Sequence, residues 1–341
     1  MEAMPTNVTP EFKKAQTAYR RAREPQERLD LLKEMLRLVP KHKGTEHLQA
    51  DIRSRIKELT DELSGPRKGG ARRGPQTSFR PEGAAQIALV GAPNAGKSAL
   101  HARLTGSHAA SAPYPFASQW PVPGMFKYKD TAFQLIDVPS LSPEHPFPFI
   151  TNTLQAADGC LLLVDVSSPG CVEATQAAID MLAERRIHLQ PAWPSDERSQ
   201  PDDDGDVFAV TIPTLLLAAK ADLVDDPEGE AAVLEELTGI AFPFRAVSEV
   251  TGHGLDELGA WLFERLEIVR VYTKLPGKAA EMTSPFPLRR GDTVIDLAGL
   301  IHKDVARDFK FARVWGPGSF DGQQVGKDHL LVDGDVVEIH T

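Results

Sequence analysis

The chain has 341 residues, 41% hydrophobic and 25% charged, with a formal net charge of −10. That length supports two or three domains with substantial cores, and the composition excludes wholesale disorder, a collagen-like repeat and a polytopic membrane protein. Two cysteines, Cys160 and Cys171, make neither a disulfide framework nor a zinc-ligand pattern.

The charge is unevenly spread. Residues 1–80 hold 18 Lys and Arg against 11 Asp and Glu, and the rest of the chain holds 20 against 37. A basic segment ahead of an acidic body suits contact with a polyanion, and it equally suits a solvated helical extension. The apolar runs are strand-sized and the N-terminus lacks an apolar signal core, so a cytoplasmic protein with no membrane partner is expected.

From Pro10 to Leu63 the pattern predicts helix, broken or kinked at Pro25 and Pro40. Leu48, Ile52, Ile56 and Leu59 form a stripe at helical spacing after Pro40, and Thr45 is placed to cap that helix. Residues 1–64 are therefore expected to form a helical region, either a hairpin or helix-turn-helix-like. Ser64 to Pro81 carries glycines, prolines and five basic residues without an acid, which predicts a flexible basic linker over residues 65–83.

Residues 84–268 alternate apolar runs with helical patterns. Strands are predicted at Ile87–Val90, Phe133–Asp137, Leu161–Val166, Thr214–Ala219 and Phe242–Val247, and helices at Ser98–Leu104, Val172–Arg185, Glu228–Leu237 and Leu255–Leu266. This alternation predicts an α/β fold built on a doubly wound, mostly parallel sheet. The proline-rich, acidic stretch from Gln190 to Val207 is expected to be an exposed loop. Residues 269–341 change character: strands at Val269–Leu275, Phe311–Trp315 and Val336–His340, a turn at Arg289–Asp292 and a helix at Thr293–Lys303 predict a small separate α+β domain.

The strongest chemical signal is G-A-P-N-A-G-K-S, Gly91 to Ser98, which follows a strand and opens a helix. A glycine-rich loop in that setting cradles phosphates; Lys97 would reach the β- and γ-phosphates and the Ser98 hydroxyl would bind Mg²⁺. Asp137 ends a second strand, where a carboxylate would hold the metal's water shell opposite Ser98. Further on, L-L-L-A-A-K-A-D ends in Lys220 and Asp222, a pair suited to guanine: one carboxylate accepts from the ring N–H and the exocyclic amine while the lysine stem covers the base. Ser248 and Glu249 follow another strand and are placed to complete the base pocket through backbone amides.

These motifs in this order resemble the Obg/DRG group of GTPases, most nearly the developmentally regulated GTP-binding (DRG) proteins. Y-P-F-A-S, Tyr114 to Ser118, resembles the family's first switch motif, and H-K-G-T-E-H-L, His42 to Leu48, its helical N-terminal region. V-R-V-Y-T-K-L-P-G-K, T-V-I-D-L-A, I-H-K-D, A-R-V-W-G and D-G-D-V-V-E-I, all within Val269 to Ile339, resemble its C-terminal TGS domain, a ubiquitin-like (β-grasp) module. The resemblance implies a P-loop GTPase domain over 84–268 and a TGS domain over 269–341. It implies nucleotide contacts from Asn94, Ala95, Gly96, Lys97, Ser98, Ala99, Ser140, Lys220, Asp222, Ser248 and Glu249, with Lys97, Asn94 and Ser118 as the catalytic set. It further implies Mg²⁺ at Ser98, Ser118 and, through water, Asp137, and K⁺ at Asn94. The implied partners are GTP or GDP, the ribosome or structured RNA, and an accessory protein.

Departures from the family pattern matter. Ala219 stands where the asparagine of N-K-x-D is usual, and losing such a buried hydrogen-bond partner costs about 1–3 kcal/mol. Ser140 replaces the glycine of D-x-P-G, Ala117 and Ser118 replace two threonines, and Glu249 replaces an alanine. Leu141 stands where Ras-like proteins orient the attacking water, so slow hydrolysis is expected. The stretch between Asp137 and Ala219 is too short for the extra domain that family members insert there. Three readings result: a slow GTP-dependent switch on the ribosome or RNA, a degenerate nucleotide-binding adaptor, and an ATPase, against which Asp222 argues.

Overall fold

The structure, a computed structural model, describes residues 9–22, 25–40, 45–63, 79–107, 120–142, 147, 150–196, 208–239 and 241–341. The expected switch I, including Ala117 and Ser118, and most of the expected linker lie outside these residues. The chain divides into two units, residues 1–81 with 201–209 and residues 82–200 with 210–341.

The first unit is helical: α1 (Pro10–Arg21), α2 (Pro25–Leu38) and α3 (Glu46–Leu63). Thr9 caps α1 by accepting from the Phe12 amide at 3.2 Å, and Pro10 takes the first turn, where its missing N–H is no loss. α2 opens at Pro25, where a break or kink is expected from the sequence. Phe12, Ala15, Tyr19, Leu32, Met35 and Ile52 form the core. Phe208 joins them, edge-on to Tyr19 at 6.1 Å between ring centroids and with the Arg55 guanidinium 4.3 Å from its own.

In the second unit a seven-stranded sheet is ordered β2 (Val122–Tyr128), β3 (Thr131–Asp137), β1 (Ala85–Gly91), β4 (Gly159–Asp165), β6 (Val210–Ala219) and β5 (Ile187–Gln190), with β7 (Phe244–Ala246) also beside β6. β6 is long enough to pair with β5 along Val210–Pro213 and with β7 along Leu216–Ala218. All pairings are parallel except β2 with β3. Helices α4 (Lys97–Thr105), α5 (Ile150–Leu154), α6 (Cys171–Ala183), α7 (Pro227–Thr238) and α8 (Leu258–Arg265) connect the strands. β1 is buried along its whole length, as a central parallel strand covered on both faces must be.

Of the exposed loop expected from Gln190 to Val207, residues 197–207 lie outside the described residues, and the part before them is corrected at Trp193. Its side chain is fully buried, its Nε1 donates to the Thr214 carbonyl at 3.3 Å, and its ring meets Trp261 edge-on at 4.7 Å. Burying an indole beneath the sheet is worth more than solvating the few polar groups beside it, so the proline-rich segment is anchored at its start.

The chain ends in a five-stranded sheet of order β11 (Ser319–Val325), β10 (Phe311–Gly316), β12 (Val336–His340), β8 (Ile268–Thr273) and β9 (Glu281–Arg289), accompanied by α9 (Val294–Ile301) and α10 (Lys303–Arg307). Its core joins Val269, Val271, Val314 and Val337 to Val294 and Leu297 of α9. Thr293 and Asp296 make a reciprocal capping box that starts α9. This sheet is tied to the larger one through Asp130 in the β2–β3 turn, which meets Arg270 Nη1 at 2.9 Å and accepts from the Tyr272 hydroxyl. Arg270 also grips Asp333 at 2.8 Å, and Arg289 meets Asp158 at 3.2 Å. Among the described residues no helix is long and apolar enough to cross a membrane.

Candidate nucleotide site

The carboxyl ends of β1, β3, β4 and β6 point to one edge of the larger sheet, which is where a doubly wound fold opens its crevice. Gly91 ends β1 at φ 154, and a Cβ there would stand 2.4 Å from the Leu163 carbonyl oxygen of β4, so only glycine lets the chain turn so close to its neighbour. Asn94 follows at the exposed tip with φ 61, then the buried Ala95, then Gly96 with φ 95 at the start of α4.

Lys97, the first residue of α4, is 5% exposed. Its Nζ donates to the carbonyls of Gly91 and Ala92 at 3.0 and 2.9 Å and to Ser140 Oγ at 3.0 Å. Burial lowers its pKa to about 8, against the pull of Asp137. The serine that replaces the third motif's glycine therefore lies directly on the phosphate-loop lysine. Leu141 beside it is buried and donates its backbone N–H to the Gly91 carbonyl at 3.2 Å, so this position offers no polar side chain to a water.

Ser98 Oγ donates to Asp137 Oδ2 at 2.6 Å. The other oxygen, Asp137 Oδ1, is buried and has no hydrogen-bond partner among the described residues. Burial pushes the Asp137 pKa up, opposed first by the Ser98 hydrogen bond, then by Lys97 and His101. His101, fully buried one turn along α4, is itself held below its usual pKa by burial. A buried carboxylate with a spare oxygen beside a serine hydroxyl is a hard-oxygen donor set, and it fits Mg²⁺.

Where the sequence leads to expect the base pocket, Ala219 is 1% exposed and presents a methyl group in place of the amide of N-K-x-D. Lys220 follows in the left-handed region at φ 59, and Asp222 is exposed in the 3₁₀ turn Ala221–Leu223. Ser248 is fully buried, its hydroxyl accepting from the Thr251 amide at 3.1 Å. The Glu249 carboxylate lies against the phosphate loop, 3.6 Å from where a Cβ on Gly96 would stand. The structure thus gathers Lys97, Ser98, Asp137 and Ser140 into one cluster and places Gly96 and Glu249 side by side. Ala99 sits on the first turn of α4, half-buried.

Sequence reasoning passed over Asp165. Its Oδ2 meets Lys220 Nζ at 2.6 Å. The available signal was the same as for Asp137, an aspartate closing an apolar strand.

Residues 86–192 match the family described as "50S ribosome-binding GTPase", and residues 269–341 match the TGS domain. The chain is 29% identical to Developmentally-regulated GTP-binding protein 1 of Xenopus laevis, over 88% of this chain and 94% of that one. It is 28% identical to an uncharacterized GTP-binding protein of Methanocaldococcus jannaschii, over 92% of each. It is 26% identical to Ribosome-interacting GTPase 1 of Saccharomyces cerevisiae, over 92% of this chain and 98% of that one. The chain thus carries a P-loop GTPase-type domain followed by a TGS domain, and along most of its length it is similar to the developmentally regulated GTP-binding proteins.

Proposed function

We propose that this protein is a GTP-binding, slowly GTP-hydrolysing switch that acts on the ribosome or structured RNA, in translation or ribosome assembly, in the cytoplasm. One observation carries the nucleotide half: the buried Lys97 ammonium beside the Ser98–Asp137 pair at the mouth of a doubly wound sheet. Lys97 stands ready to exchange a carbonyl or the Ser140 hydroxyl for phosphate oxygens, and its charge stabilises a transferring phosphoryl group. Ser98 and Asp137, with Ser118, would hold Mg²⁺, which when bound neutralises charge between the β- and γ-phosphates. Asn94 at the loop tip is the proposed K⁺ ligand. Asp222, Lys220, Ser248 and Glu249 form the base side. With Leu141 in place of a water-orienting residue, turnover is slow.

The ribosomal half is supported by the ribosome-binding GTPase family that residues 86–192 match and by the name of the yeast relative. Residues 1–64 with the basic linker are the proposed RNA-docking element, with TGS as a second contact and an accessory protein as a further partner. A second reading, a weakly hydrolysing or non-hydrolysing adaptor, is favoured by the buried Ala219 methyl and by the Glu249 carboxylate on the phosphate loop. The test is phosphate release from GTP by the wild-type chain and by K97A, in potassium and in sodium, with co-sedimentation on ribosomes over a salt series. Release that needs Lys97 and potassium, with salt-sensitive sedimentation, supports the switch. Sedimentation without any Lys97-dependent release supports the adaptor.

A further inference from the structure

We infer that Asp165 is a positioning residue of the guanine pocket, fixing the Lys220 stem where the base lies and so doing work that the side chain at 219 leaves undone. The inference rests on the nucleotide reading above and adds a specificity element to it.

β4 and β6 run parallel with Asp165 directly opposite Ala219. The carboxylate is therefore the register neighbour of the position whose amide is missing. The turn after Ala219 needs support, because Lys220 adopts φ 59 and ψ 36, a conformation a non-glycine residue seldom takes. Backbone support comes from the Ala221 amide, which donates to the Val247 carbonyl at 3.1 Å. Side-chain support comes from Asp165, whose Oδ2 meets Lys220 Nζ at 2.6 Å. Asp165 is itself pinned: its Oδ1 accepts from the Ser167 amide at 3.1 Å and the Ser167 hydroxyl at 2.6 Å. One oxygen builds the turn after β4 and the other holds the ammonium.

The pair differs from a loose surface ion pair. The two side chains are only 27% and 18% exposed, and the acceptor is already ordered. Held at its far end, the four-carbon stem of Lys220 becomes a fixed apolar surface at the crevice edge for a purine face. Released, it would have to be ordered by each incoming nucleotide, and that entropic cost falls on affinity rather than on the chemical step.

The experiment uses the full-length chain as wild type, D165A, D165N, A219N and the D165A/A219N double variant. It measures Kd for GDP, KM and kcat for GTP, and competition by inorganic tripolyphosphate, which has no base. D165A is expected to weaken GDP about tenfold, or 1.4 kcal/mol, raising KM far more than it moves kcat and leaving tripolyphosphate competition unchanged. D165N, which keeps an acceptor of the same shape, should lose less and covers the case of D165A failing to fold. A219N should recover most of the loss in the D165A background, since an amide there can tie the same turn. GDP affinity within twofold of wild type in D165A, or a loss shared equally by tripolyphosphate and not rescued by A219N, overturns the inference alone. No GDP binding by the wild-type chain overturns the nucleotide reading and this inference with it.

Discussion

Ser98 Oγ donates to Asp137 Oδ2 at 2.6 Å while Asp137 Oδ1 stays buried without a hydrogen-bond partner among the described residues. A lone buried carboxylate oxygen is costly, and its raised pKa registers that cost. A hydrated dication beside it would remove the penalty. D137A is therefore expected to abolish most of the Mg²⁺-dependent tightening of a GTP analogue, by about 10–100-fold. Titrations with Mg²⁺ and with chelator check this; equal Mg²⁺ dependence in D137A and wild type would contradict it.

Lys97 gives a pH dependence. Only the charged amine attracts phosphates, and burial has lowered its pKa to about 8. Nucleotide affinity should be flat below pH 8 and fall above it, by at most about tenfold per unit. The stability of the nucleotide-free protein runs the other way. The unfolded lysine titrates near 10.5, so between about 8 and 10.5 the unfolded state holds more protons and stability rises with pH across that window. K97M should lose both effects, as denaturant midpoints and GDP titrations at pH 7, 8 and 9 would register.

Trp193 sits over Gly159, where a Cβ would come within 2.9 Å of the indole ring. W193A should cost about 3–5 kcal/mol, and G159V should also destabilise by forcing the ring aside. Urea unfolding of each variant measures both.

Asp130 joins the β2–β3 turn to the terminal sheet through Arg270 and Tyr272. The Arg270 guanidinium lies over the Phe263 ring and keeps Asp333 as a second partner. D130A should loosen the junction by about 1–3 kcal/mol without unfolding the small sheet. Hydrogen exchange should quicken in β8 and in the β2–β3 turn and remain unchanged in β10 and β12.

The parallel core was legible because its strands are uninterrupted apolar runs; Leu161 to Val164 and Leu215 to Ala218 could be little else. The edges were not. β2 reads V-P-G-M-F-K-Y and β9 reads E-M-T-S-P-F-P-L-R, and proline is tolerated in them because an edge strand need not donate on its open side. Trp193 was hidden by the prolines around it, and Phe208 by the acidic run before it. In the site, the motif spacing located Lys97, Ser98 and Asp137, since strand–loop–helix geometry follows from local sequence. It was silent on Ser140 reaching Lys97 and on Asp165 holding Lys220, because both contacts depend on strand order, which brings together residues 43 and 55 positions apart.

The most direct test of guanine-nucleotide binding is an equilibrium titration of the wild-type chain with fluorescent GDP, a GTP analogue and the ATP counterpart, in potassium and in sodium with Mg²⁺ present. Saturable binding of the guanine nucleotides, with ATP much weaker and the GTP analogue tightened by potassium, is the predicted result. No guanine-nucleotide binding at millimolar concentration, or equal binding of adenine and guanine, would contradict it.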